Sequence, residues 1–214
     1  MTQHPIDHEK VWAGGALLVT AGLSLLAMLH HPEINSSTAT EAIIEVREEA
    51  PLNRAIHGTL IFFIIIQVWA LRVFARHERN TLLDLAITLF SAGAGGFAIA
   101  AVMSGFATPE LAYRFDAQPD LFRSFGRLIF SINQAFSKLG TAAWSASAML
   151  TAIALFRGKT KGPLLAAISG LVSIVTITLL LIGGTLDVRL MTIVLVCLLV
   201  WIVAIGIRMV AKPA

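Results

Sequence analysis

Three of the six histidines lie at one end of two neighbouring apolar segments. His30 and His31 close the first, just before Pro32, and His57 opens the second. Segments joined in this way run antiparallel, so the three imidazoles fall at a similar depth. Consecutive residues on a helix point about 100° apart, so only one of His30 and His31 is expected to turn inward. Met28 lies three residues before His31 and shares its face, and Met103 is expected at a comparable level near the end of a third segment. Imidazole with thioether suits copper, and two imidazoles from different helices suit the iron of haem b. His30, His31, His57, Met28 and Met103 are therefore the candidate metal ligands. Arg54, Arg127 and Lys138 would meet haem propionates or another anionic head group. A simpler reading competes: histidine at a helix end is often an interfacial polar residue, and His30-His31-Pro32 then only terminates a helix. No His-x-x-x-His or Cys-x-x-Cys spacing sharpens the choice.

A second constellation is Arg127, Ser131, Gln134, Lys138, Thr141 and Ser145, spaced 4, 3, 4, 3, 4. That spacing places all six on one face of a helix. One reading is a polar cleft beside the histidines, with Gln134 and Lys138 among its cofactor-binding or solute-binding residues. The other is a hydrogen-bonded contact between helices, with Lys138 snorkelling to the headgroups. Gln67, alone in an apolar segment, reads as interhelical glue. Cys197 reads as a packing residue, and His77, among arginines, as a solvated one.

The elements that must position these residues are membrane helices. The chain of 214 residues is 57% hydrophobic and 14% charged, with mean hydropathy +0.80. Soluble domains carry roughly 25% charged residues. Six apolar segments, 11–31, 55–76, 82–107, 127–156, 163–184 and 187–209, are each long enough for a helix to cross roughly 30 Å of hydrocarbon. Helices are required because lipid offers no partner to a bare peptide group. The first segment is expected to be an uncleaved anchor rather than a signal peptide.

Short-loop charge sets the orientation. Arg72, Arg76 and Arg79 lie on one side, with Arg157, Lys159, Lys161, Arg208 and Lys212. Loop 32–54 on the other side carries Glu33, Glu41, Glu45, Glu48 and Glu49. Both termini are thus expected in the cytoplasm of a cell with the protein in its inner membrane, and the histidines on the outer side. The organisation expected is a tail over 1–10 and one six-helix transmembrane domain over 11–212, with outer loops 32–54 and 108–126. Thr38 to Glu41 fits a capping box that opens a short surface helix, with Ala42, Ile43 and Val46 on its apolar stripe and Pro51 at its end. Tyr113, Phe115 and Phe122 are expected to anchor the second loop at the headgroups.

In the third segment Ala92, Gly96, Ala100 and Ser104 recur every four residues and allow another helix to approach closely. This segment is expected at the centre of the bundle. The sixth, almost wholly apolar from Met191 to Ile207, is expected to face lipid.

Walker loops, dinucleotide glycine patterns, HExxH and nucleophile elbows are all missing from the sequence, and no carboxylate lies deep in a segment. The basic residues are scattered in short clusters, which excludes a nucleic-acid partner. The fold class is therefore all-α: a polytopic membrane protein with a bundle of six transmembrane helices, in contact with the lipid bilayer. Three functions remain. The first is a redox or metal module binding haem b or copper at His30, His31 and His57. The second is a small-solute transporter or ligand-binding membrane protein that uses the polar face of the fourth segment. The third is a non-catalytic subunit or assembly factor that meets a membrane-protein partner through the third segment. No reaction is assigned by the sequence.

Overall fold

A computed structural model describes residues 8–32, 34, 36–157, 162–186 and 188–211, which form helices and short connections only. In chain order these are α1 (His8–Leu29), α2 (Ala39–Glu78), α3 (Thr81–Val102), a π-helical segment (Met103–Ala107), α4 (Thr108–Arg114), α5 (Pro119–Arg157), α6 (Pro163–Ile182) and α7 (Val188–Ala211). Six stretches are long and apolar enough to cross a bilayer: α1, α2, α3 continued through α4, α5, α6 and α7. Residues 1–7 of the expected tail lie outside the described residues, as do Glu33, Lys159, Lys161 and Lys212 of the charge pattern. The remainder of the tail is helical, and Glu9 in the first turn of α1 pairs with Arg76 at 2.7 Å.

The loop expected at 32–54 is mostly helix. Thr38 caps α2 with the full capping box: its side chain accepts from the Glu41 N–H, and the Glu41 carboxylate accepts from the Thr38 N–H. Pro51 does not end this helix. A proline inside a helix deprives the carbonyl four residues earlier of its N–H partner. Here that carbonyl belongs to Arg47, and it accepts instead from the Tyr113 hydroxyl at 3.4 Å. α2 thus runs 40 residues without a break, about 60 Å, twice the thickness of the hydrocarbon core.

The second expected loop is likewise helical. Ile43 and Val46 of α2 pack with Ala112 of α4 and Phe122 of α5 in a small core of their own. Phe122 is buried there and is not a headgroup anchor. Phe115 stacks on Phe125 with ring centroids 5.3 Å apart. The extended ends of α2 and α5, with α4 between them, therefore stand as a packed collar over one end of the bundle. That end also carries His31 and His57 and is called the histidine end below.

In the main core, glycine lets helices close in. α3 and α5 meet at Gly93, Gly96 and Gly140, where a Cβ on Gly96 would lie 3.0 Å from the Phe136 carbonyl oxygen. α1 and α7 meet at Gly14 and Gly206, where a Cβ on Gly206 would lie 3.0 Å from the Gly14 carbonyl oxygen. The small residues of α3 thus do their work inside the chain. Gly96 and Ala100 are covered, Gly96 by α5, while Ala92 of the same series is exposed.

Phe90 stacks on Trp144 at 4.3 Å, and Trp201 of α7 closes the cluster at 5.9 Å from Phe90. Trp201, Ile202 and Ile205 are fully buried while Ile193, Val200 and Ile207 are about half exposed, so α7 keeps the exposed apolar side expected of it and packs its other side into the core. At the end opposite the histidines, Arg208 donates from Nε to Glu78 at 3.0 Å, and both side chains are nearly buried.

Candidate functional site

The site begins with a defect in α3. The backbone N–H of Thr108 reaches back five residues to Met103, which makes Met103–Ala107 a π-helical turn. The next carbonyl, Ser104, would need the N–H of residue 109, but residue 109 is a proline. Asn53 of α2 supplies the missing donor, its amide reaching the Ser104 carbonyl at 3.0 Å. Asn133 of α5 donates to the Ala100 carbonyl at 2.9 Å and to the Ser104 hydroxyl at 2.8 Å. Three helices are thereby tied together at the histidine end.

His57 lies one turn after Asn53 and packs directly on the π turn. A Cβ on Gly105 would overlap the Cβ and ring of His57, so the absent side chain at 105 makes the imidazole's seat. His57 is 7% exposed. His31 reaches it from beyond the end of α1. The two Nε2 atoms are 3.0 Å apart, and the rings meet edge to face with centroids 5.0 Å apart.

The proton arrangement follows from the partners. Nδ1 of His31 lies 2.8 Å from the Pro32 carbonyl, which only accepts, so that nitrogen carries the proton. Nε2 of His31 then presents a lone pair, and Nε2 of His57 donates to it in the neutral pair. Nδ1 of His57 is left buried with no partner among the described residues.

The pair closes the top of a cavity of about 160 Å³ between α1, α2, α3, α5 and α7. Met28, Ser24, Gln67, Ser137, Trp144 and Leu199 are among its walls. Above it lies a wider chamber of about 470 Å³, bounded by Glu49, Asn53, Phe130, Gln134 and Arg189. His31, Ser104, Asn133, Leu186 and Val188 line both, forming the collar between the two.

Of the residues singled out in the sequence, His31 and His57 meet, and Met28 lines the same cavity. His30 is exposed and turned away, with Nδ1 2.9 Å from the Leu26 carbonyl. Met103 is half-buried in the π turn and lines neither chamber. Arg54 lies over the Tyr113 ring at 5.8 Å, with Glu110 4.0 Å away, and Arg127 is exposed. Lys138 is half-buried and reaches neither chamber. Gln134 is a clamp: its amide donates to the Leu186 carbonyl at 2.9 Å and accepts from the Leu186 N–H at 2.7 Å.

The lower half of the polar stripe is a helix contact rather than a cleft. Ser145 meets Thr176 of α6 at 2.6 Å, and both are fully buried. The cavity is lined instead by Asn133, Ser137 and Trp144, one residue round the same helix. Asn53, Ser104, Gly105, Asn133 and Ser137 were not among the candidate site residues read from the sequence, where Ser104 entered only as a small packing residue. The signal for the first three was the Pro109 that follows them.

Haem b does not fit this arrangement. Axial imidazoles approach a haem iron from opposite faces, about 4 Å apart, with the porphyrin plane between them. Nitrogens 3.0 Å apart in an edge-to-face contact leave no slot for that plane. The cavity is also close in volume to one of 150 Å³ that accepts benzene. Among the described residues no group of three or more His, Cys, Asp or Glu surrounds a common point. Comparison of the chain with family models, with curated proteins and with solved structures found no match.

Proposed function

We propose that this membrane protein binds a single copper(I) ion between His31 and His57, with the Met28 thioether as third ligand. The observation that carries the reading is the convergence of the two Nε2 atoms at 3.0 Å. His31 is held for this role by its Nδ1–H bond to a backbone carbonyl, the usual device that fixes the tautomer and direction of a metal-binding imidazole, and neutral His57 becomes a ligand by carrying its proton on Nδ1 instead of Nε2 when the ion enters.

The donor set selects the ion. Hard cations prefer several carboxylate oxygens, and no carboxylate cluster surrounds this point among the described residues. Structural zinc takes four donors from His, Cys, Asp or Glu, and among the described residues only His31 and His57 of these types meet here. Copper(I) accepts imidazole and thioether ligands. With metal–nitrogen bonds of about 2.0 Å, a trigonal site separates its nitrogens by about 3.5 Å. His31 follows the end of α1 and is only half-buried, so a movement of that size falls on the freer of the two rings.

The test uses the full chain, purified in detergent without oxygen and titrated with copper(I) against bicinchoninate. One equivalent should bind. His31→Leu and His57→Leu should each weaken it at least about 100-fold, as the loss of a direct ligand outweighs the 10- to 100-fold typical of outer-shell losses. His30→Leu should leave it unchanged. Binding no tighter than the competitor, or equal losses in His30→Leu and His31→Leu, would refute the proposal.

A further inference from the structure

Beneath the histidine pair the cavity follows α2 from His57 to Gln67, ten residues or about 15 Å. Its walls along this length are mainly apolar, with Leu60, Ile64, Phe97 and Leu195 among them, beside the hydroxyl-bearing Ser24 and Ser137. It ends against the fully buried core around Trp144. The cavity is therefore long and narrow.

Its floor is polar at one point. Gln67 is 1% exposed and lines the cavity, yet its side-chain amide has no hydrogen-bond partner among the described residues. Buried side-chain amides are rarely left this way. The sequence suggests that Gln67 ties two helices together; in the structure it points into empty space instead. A mainly apolar tube with an unpaired amide at its deep end selects for a particular shape of molecule.

We infer that the cavity binds a slender single-chain molecule that is apolar along its length and polar at both ends. One end pairs with the Gln67 amide, and the other reaches the polar collar at His31 and Asn133. A span of about 15 Å corresponds to an alkyl chain of about ten carbons. The acyl chain of a bilayer lipid matches the walls but has no group for Gln67. Water alone would satisfy Gln67 but not the walls. The inference does not depend on copper at the histidines.

The test uses the full chain in detergent with bicinchoninate present to keep it free of copper. Trp12→Phe and Trp69→Phe remove the two exposed tryptophans, leaving Trp144 and Trp201 as reporters. The probe is 2-bromodecane-1,10-diol, whose bromine, one carbon from a terminal hydroxyl, comes to the Trp144 end when that hydroxyl meets Gln67 and quenches tryptophan on contact. Quenching should saturate, and both decane-1,10-diol and decan-1-ol should reverse it. The diol should compete about fivefold better, the worth of one net hydrogen bond, although it is the less hydrophobic of the two. Gln67→Leu should abolish that preference while the probe still binds.

Saturable quenching with decan-1-ol equal to or better than the diol would overturn the inference in favour of a lipid acyl chain. Quenching that never saturates would overturn it in favour of water alone. The ratio measured on the chain with Gln67 intact decides even if Gln67→Leu fails to fold.

Discussion

His57 occupies the space that a side chain at Gly105 would fill. A Cβ at 105 would overlap the Cβ and ring of His57, which is buried against the π turn at Met103–Ala107. The irregular end of α3 and the buried imidazole are thus one feature. The π turn and Pro109 free the Ser104 carbonyl, Asn53 takes it, and α2 is fixed in the register that presents His57.

Gly105→Ala should therefore act on the site rather than only on the fold. Overpacking of this kind costs roughly 1–3 kcal/mol. Thermal unfolding in detergent should show that loss, and copper(I) affinity should fall with it as Nε2 of His57 is pushed out of line with His31. Gly95→Ala, where a Cβ meets nothing within 4 Å, is the control and should change neither.

The continuity of α2 through Pro51 makes a second prediction. Tyr113→Phe removes the donor to the Arg47 carbonyl, a long bond at 3.4 Å that should be worth about 0.5 kcal/mol. In a Pro51→Ala background the alanine N–H satisfies that carbonyl, and Tyr113→Phe should then cost close to nothing. A double-mutant cycle on unfolding midpoints reads this coupling. Equal costs in both backgrounds would mean that Tyr113 does not compensate for the proline.

At the opposite end, the Arg208–Glu78 pair is nearly buried, with side chains 9% and 11% exposed, whereas Arg76–Glu9 is open to solvent at 62% and 49%. Removing one member of a buried pair strands the other charge and costs about 3–5 kcal/mol. Glu78→Ala should lose stability on that scale. Glu9→Ala should lose under about 1 kcal/mol.

Helix α7 separates what hydropathy shows from what it hides. Trp201 and Val200 are neighbours in an unbroken apolar run, yet one is fully buried and the other about half exposed. Trp201→Ala should cost roughly 3–5 kcal/mol and Val200→Ala little. Lipid is as apolar as a protein core, so composition locates a spanning helix without revealing which side packs. For the same reason the six spans were legible in the sequence and the burial of α7 was not.

The site was half legible for equally physical reasons. The 100° step between His30 and His31 correctly implied that one turns in, and antiparallel neighbours implied that it meets His57. The capping box at Thr38 was legible because its two bonds are local. The passage of α2 through Pro51 was not, because the compensating donor, Tyr113, is 62 residues away in sequence. On α5, Gln134, Lys138, Thr141 and Ser145 outnumber the polar residues one position earlier. The cavity nevertheless lies on the side of Asn133 and Ser137, since the approach at Gly93 and Gly140 sets the helix's rotation. Gln67 looked like half of a pair because a buried amide ordinarily is one, and only the packed bundle shows the space before it.

The most direct measurement is X-ray absorption at the copper edge on the protein loaded with one equivalent of copper(I). Two imidazoles and one sulfur around each ion, with the sulfur lost in Met28→Leu and one imidazole lost in His31→Leu, is the predicted result. A coordination shell that keeps both imidazoles when His31 is replaced, or that contains none, would contradict it.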